Sequence, residues 1–237
     1  MARFATAFLI LSAFLLTSTS PAQVKFTTWS EESKGKWSAK ATVPSSLGSS
    51  SVQTLALKEF RKAAKQMYDR FRKDAKAEER EGWPTSNPWT LELGTSISLN
   101  RPDLVSGYIY LWDYTGGAHP NSYYFPLSFG IANGKVKLLR LSDLLAKSVT
   151  PKQFADEFVT PAIDDAKAQR GAPPMDEALD PTLYDCFVIT PKGLTWMLAP
   201  YSVGPYVEGS YEVKILLRDI RSQLNRSGPL KALLAGL

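Results

Sequence analysis

The sequence predicts an α+β fold: a largely antiparallel twisted sheet packed against a long N-terminal helix and shorter C-terminal helices. Three observations predict it. Apolar side chains recur at every second position over 36–43, 105–114 and 123–131, as strands with one buried face require. Phe60, Ala64, Met67, Phe71 and Ala75 recur instead at steps of three and four, which is one stripe of a helix. Strands and helices then mix without regular alternation, so nothing points to a parallel α/β sheet.

The first 22 residues stand apart. Arg3 precedes an apolar run over 4–16, polar residues follow, and small residues stand at Ser20 and Ala22. This is the pattern of a secretory signal cleaved near Ala22, and the run is too short to span a bilayer comfortably. No later stretch reaches the length of a membrane helix, so an extracytoplasmic protein (periplasmic or secreted) is expected, and a monomer. The expected organisation is a signal peptide over 1–22, a strand-helix-strand part over 23–104 and a second part over 105–237.

A first strand is read over 36–43, ending at Pro44. A serine-rich linker leads into the long helix over 52–80, which Gly82 and Pro84 end. This segment holds nine Lys or Arg against five Asp or Glu, and so carries nearly all of the net charge of +5. A solvated helix face explains such a segment more simply than a polyanion site does. Nucleic acid is not an expected partner, because no reading motif is present. Trp83 and Trp89 flank a proline loop and either fold over the helix end or offer a stacking surface; aromatics are more often buried. Leu91, Leu93, Ile97 and Leu99 mark the next strand.

The central feature is a hairpin whose strands meet at the corner 114–121, with the only histidine, His119. Gly116 and Gly117 can adopt positive φ and leave no Cβ in the way of an approaching ligand, while Pro120 fixes the exit. Before the corner, Tyr108, Tyr110, Trp112 and Tyr114 share one face of the strand, and Val105, Ile109 and Leu111 the other. Either both faces are covered or the aromatic one is a ligand surface.

Asn133-Gly134 turns into a short strand over 135–139, and 141–145 reads as a capped helical turn. Thr150-Pro151 starts a helix that is interrupted or restarted at Pro161 and stops before Gly171. A second hairpin joins strands over 184–190 and 194–199 through the turn 191–193. An irregular aromatic, glycine-rich segment over 200–209 follows, then a strand from Tyr211, a closing helix over 217–226 and an apolar tail over 230–237 able to dock on the body.

One cysteine, Cys186, excludes an intramolecular disulfide, and in an apolar strand context it reads as a small buried hydrophobe. With one histidine and one cysteine, paired-histidine and four-ligand Cys/His zinc sites are excluded by counting. No P-loop or dinucleotide fingerprint occurs; no cofactor and no metal are expected. His119 could still act with Asp113 and a serine, or with another acid, but no serine lies in a nucleophile-elbow sequence. The bland reading of His119 is a ring that ties the glycine corner to the segment 201–209.

The sequence Asp113-Tyr114-Thr115-Gly116-Gly117-Ala118-His119-Pro120-Asn121, followed by Gly193-Leu194 and by Pro200-Tyr201-Ser202-Val203-Gly204-Pro205-Tyr206-Val207-Glu208-Gly209, resembles the RsiV/PdaC-type extracytoplasmic domain. The strand at Trp37-Ser38-Ala39 and the helix after it are similar to that family's N-terminal half. In the family the domain forms the sensor of an anti-sigma factor that binds lysozyme, and it precedes the catalytic domain of a peptidoglycan deacetylase. The sequence contains neither an anti-sigma segment nor a deacetylase domain, whose metal site needs more than one histidine. The resemblance therefore implies a non-catalytic binding module of the cell envelope, its ligand a wall glycan or a lysozyme-like protein. The expected contact residues are Tyr114, Gly116, Gly117, His119, Asn121, Tyr201 and Tyr206, with no catalytic residue. The alternative is a wall-polymer hydrolase using His119 with an acidic partner.

Overall fold

In the computed structural model the described residues are 23–83 and 87–237. The expected signal segment lies outside them, as does Pro84. β1 (Lys25–Ser33) pairs antiparallel with β2 (Trp37–Ser46), α1 (Ser51–Glu81) crosses over, and β3 (Trp89–Asn100) returns parallel to β2. β4 (Leu104–Tyr114), β5 (Asn121–Ala132) and β6 (Lys135–Leu138) then add antiparallel in chain order, giving one six-stranded sheet. The α+β class holds, with a single parallel pair where the long helix makes the crossover.

α1 forms where its chemistry says it should. Ser50 accepts from the Gln53 amide at 3.1 Å and Gln53 Oε1 accepts from the Ser50 amide at 3.2 Å, a capping box. Phe60, Ala64, Phe71 and Ala75 are buried against Ala39, Ala41, Leu93, Val105 and Ile109, while the remaining predicted stripe residue, Met67, is only half-buried and its neighbour Tyr68 takes the inner place. Each large apolar side chain so buried contributes roughly 1.5–3 kcal/mol. The outer cations of α1 are largely matched locally: Lys65 to Asp69, and Arg72 and Lys76 to Glu31 of β1. Trp83 and Trp89 do fold over the helix end, their rings 5.4 Å apart and Trp89 6.5 Å from Phe71.

The second sheet is β7 (Phe187–Ile189), β8 (Gly193–Leu198) and β9 (Tyr211–Leu216), all antiparallel. It is seated on the face of the first sheet opposite α1. There Ile189 donates its N–H to Ser106 Oγ at 2.7 Å, Ser98 Oγ donates to the Ile189 carbonyl at 2.9 Å, and the Ser106 and Ser128 hydroxyls are 2.8 Å apart. The face of β4 away from α1 is therefore covered at its start, and its aromatic side chains Tyr108, Tyr110, Trp112 and Tyr114 are half-buried further along. Between the sheets' sequences lie α2 (Leu141–Leu144), α3 (Pro151–Phe154), a π-turn (Ala155–Val159) and α4 (Thr160–Ala168). Thr160 donates to the Ala155 carbonyl five residues back. That wide turn lets the helix pass Pro161, which has no N–H to give and would crowd a regular turn.

Three expectations need correction. β1 was not anticipated: it is an edge strand whose inner face carries Thr27, Trp29, Glu31 and Ser33, too polar to announce itself. The strand expected over 184–190 is only Phe187–Ile189, because 181–183 form a 3₁₀ turn and Cys186 N–H bonds back to the Leu183 carbonyl. The closing helix over 217–226 does not form. Leu217, Ile220 and Leu224 are buried at helical spacing, but the backbone makes successive three-residue turns (Asp219 to Leu216, Gln223 to Ile220) and then pairs with 144–146. The tail does dock: α5 (Lys231–Leu234) buries Leu234, and Leu230 is buried beside it.

Candidate functional site

The corner between β4 and β5 and the loop between β8 and β9 come together at one edge of the molecule. In the corner Gly116 has φ of +86°, a conformation that favours glycine, whereas Gly117 has no positive φ and a Cβ there would meet only the His119 carbonyl at 3.9 Å. One glycine, not two, is demanded by the turn.

His119 stacks on Tyr206, ring centroids 3.9 Å apart and planes inclined by 21°. Tyr206 Oη donates to the Pro120 carbonyl at 2.9 Å, and His119 Nδ1 lies 2.9 Å from the same oxygen, a bond made by the tautomer with its proton on Nδ1. Pro120 thus presents one carbonyl to both rings. Tyr201 follows in the cluster, 5.5 Å from Tyr206.

The loop is fixed from behind by a buried ion pair. Lys167 of α4 donates to Glu208 Oε2 at 2.6 Å and to the Val203 carbonyl at 2.9 Å; the two charged side chains are 3% and 10% exposed. Tyr211 Oη donates to the same carboxylate oxygen at 2.8 Å. These donors hold the Glu208 carboxyl below the usual carboxylate range, the Lys167 ammonium first and the Tyr211 hydroxyl next. Arg170 donates to the Glu208 and Ser210 carbonyls at 2.8 and 2.9 Å while its guanidinium lies 4.1 Å above the Tyr211 ring. Gly204 is part of this seat, since a Cβ there would come within 2.3 Å of Glu208 Oε2 and 2.8 Å of Lys167 Nζ.

What the seat holds outward is apolar. Tyr201 is 63% exposed and Val207 88% exposed. Tyr201 also has φ of +69°, a left-handed conformation that costs an aromatic residue strain.

Of the expected contact residues, His119, Tyr201 and Tyr206 form this cluster, with Gly116 and Gly117 on the exposed corner beside it. Tyr114 turns its phenol toward Asn87 at 3.4 Å. Asn121 pairs in register with Asp113 and its side chain hydrogen-bonds that carboxylate, so both belong to the strand ends and not to the rim. Burial pushes the Asp113 carboxyl up, with the Asn121 hydrogen bond opposing it, and Asp113 Oδ1 has no partner. Among the described residues His119 forms no ion pair with a carboxylate, and no group of three His, Cys, Asp or Glu is placed to hold a metal. The Cys186 thiol is pushed up by burial and then by Asp185, in keeping with an inert side chain.

Sequence reasoning missed the seat. Nothing in the sequence around Lys167 or Arg170 singles them out; only the fold brings them to Glu208 across the chain.

Comparison with known proteins bears on the whole arrangement. Residues 30–122 match the family model described as Deacetylase PdaC, and residues 137–217 the model described as Protein of unknown function (DUF3298). Among solved structures, a DUF3298 family member from Bacteroides fragilis is similar at 14% identity and a TM-score of 0.56, covering 90% of this chain and 98% of that one. A DUF3298 family protein from Pseudomonas aeruginosa is similar at 13% identity and a TM-score of 0.57, covering 87% and 95%. At such identities the likeness establishes the fold alone. No curated protein matches the sequence.

Proposed function

The chain joins a PdaC-type part to a DUF3298 part and so belongs to the PdaC/RsiV-type domain family, and from that premise we propose that it is a non-catalytic, extracytoplasmic binding module of the cell envelope. The observation that carries this reading is the rim itself: exposed, apolar and anchored by the contacts beneath and beside it. Tyr201 and Val207 stand out on a loop that the Lys167–Glu208 pair anchors from below and the His119–Tyr206 stack locks from the side. Ordering such a loop in advance removes an entropic cost from binding, and exposed aromatic anchors are the groups that carry protein contacts.

A projecting rim suits a partner with a cleft, which favours a lysozyme-like protein over a wall glycan at this edge. The basic helix does not oppose such a partner, because α1 packs on the other face of the sheet and its cations are largely paired. Wall-polymer hydrolysis through His119 has less support: its Nδ1 is engaged by the Pro120 carbonyl and its ring by Tyr206. The test is calorimetric titration of the protein with a c-type lysozyme and with soluble peptidoglycan fragments, at low and moderate salt. Saturable heat with lysozyme that survives salt is expected. Turnover of wall fragments, or silence with both ligands, would overturn the reading.

A further inference from the structure

The open half of the sheet's second face carries a trough with a glycine floor. Gly94 lies in β3, a central strand, opposite Tyr110 of β4. Its φ is not positive and a Cβ on it would meet nothing within 4 Å, so neither backbone nor packing within the chain asks for glycine. Gly107 on the next strand is different, since a Cβ there would come within 2.2 Å of the Ser96 carbonyl. A bare glycine in a strand interior is a place where another molecule can approach closely.

The walls are aromatic and preset. Tyr124 lies 5.6 Å from Tyr108 and 5.3 Å from Tyr110, ring to ring. The Tyr110 hydroxyl is bonded to Ser122 and the Tyr124 hydroxyl to Ser210, which fixes both rings. A cavity of about 360 Å³ lies between these tyrosines and the floor, in the range of small-molecule sites, and it adjoins a second of about 200 Å³ that shares Gly94 and Tyr110 and reaches Lys40 and Glu92. Lys40 and Glu92 face each other in register, and neither has an ion-pair partner among the described residues.

We propose that this trough is a second binding site and that it takes a pyranose ring of a glycan chain, the ring's C–H face against Tyr110 over Gly94 and its hydroxyl edge toward Lys40 and Glu92. Apolar walls with a few fixed polar groups at one end match such a ligand, apolar on its faces and polar on its edge. One cation beside one anion favours an uncharged polyhydroxylated ring over an anion. A peptide strand is a poorer occupant, because β3 gives its backbone groups to β2 and β4 and has none left to pair.

The test is saturation-transfer NMR and titration with a β-1,4-linked N-acetylglucosamine tetrasaccharide, on the full protein and on Gly94→Val. The Cβ that valine adds meets nothing within 4 Å and valine suits a strand, so the variant's melting temperature should equal or exceed that of the original protein. The tetrasaccharide should bind the original protein and bind Gly94→Val at least tenfold more weakly. No transfer to the original protein, or equal binding by Gly94→Val, overturns the proposal. A fall in the melting temperature of Gly94→Val would also overturn it, by showing that the glycine serves the fold. The rim proposal is untouched by any of these results, because it is read with a protein ligand.

Discussion

His119 and Tyr206, 87 positions apart in the sequence, lie ring on ring at 3.9 Å, and both address the carbonyl of Pro120. The stack joins the β4–β5 corner to the β8–β9 loop. An aromatic pair contributes roughly 0.5–1.5 kcal/mol beyond the area it buries. His119→Ala should therefore lower stability by about 1 kcal/mol, and His119→Phe, which keeps a flat ring, should recover most of it. Urea unfolding of the two variants measures this. Equal losses would show that the ring nitrogens, not the stack, hold the corner.

Lys167 and Glu208 are a buried pair, and removing one partner leaves the other charged and without compensation. Lys167→Met should cost about 3–5 kcal/mol, whereas Lys167→Met with Glu208→Leu should cost clearly less than Lys167→Met alone. Denaturant midpoints of the two variants decide it. A double variant as unstable as Lys167→Met alone would contradict the role given to the pair.

Two glycines of the site should answer differently to alanine. Gly204→Ala places a methyl group against both members of the ion pair and should cost about 2 kcal/mol or more. Gly117→Ala meets only a carbonyl at van der Waals distance and should change stability by less than about 0.5 kcal/mol. Thermal melts of the pair check the contrast.

At the far end of α1, Glu79 accepts from Ser33 Oγ at 2.8 Å, Lys36 Nζ at 3.1 Å and Trp37 Nε1 at 3.1 Å. Led by the Trp37 bond, these donors lower its carboxyl from 4.5 to about 2. The folded value lies below the unfolded one, so the contribution is full above pH 4.5 and is lost as the pH falls from there toward 2. Glu79→Gln should be less stable than the original protein at neutral pH, and the gap should narrow through that acid window. Melting temperatures at pH 7, 4 and 2.5 test it; parallel profiles would contradict it.

How much of this was legible in the sequence follows from how local each signal is. The stripe of α1 except Met67, its serine cap and the Asn133-Gly134 turn, whose two residues have φ of +51° and +73°, are written in neighbouring residues and were read correctly. The segment 217–226 has the spacing of a helix in Leu217, Ile220 and Leu224, yet its last turns pair with 144–146, a tertiary demand that no local pattern carries. The link from His119 to the segment 201–209 was legible as an expectation because both stretches are aromatic and glycine-rich. Its form was not: the fold joins the two by the His119–Tyr206 stack together with the Tyr206 hydroxyl's bond to the Pro120 carbonyl. The seat built on Lys167, Arg170 and Glu208 left no trace, because its members lie about forty residues apart and become partners only when α4 packs beneath the loop.

Tyr201 supplies the most direct measurement of the rim's role. It is exposed and holds a left-handed backbone conformation that glycine adopts without strain. In Tyr201→Gly the melting temperature should stay level or rise, while affinity for a c-type lysozyme, followed by calorimetric titration, should fall at least tenfold. Stability kept and binding lost is the result predicted for a residue retained in strain as a contact. Affinity unchanged in Tyr201→Gly would contradict the assignment of the rim as the binding surface.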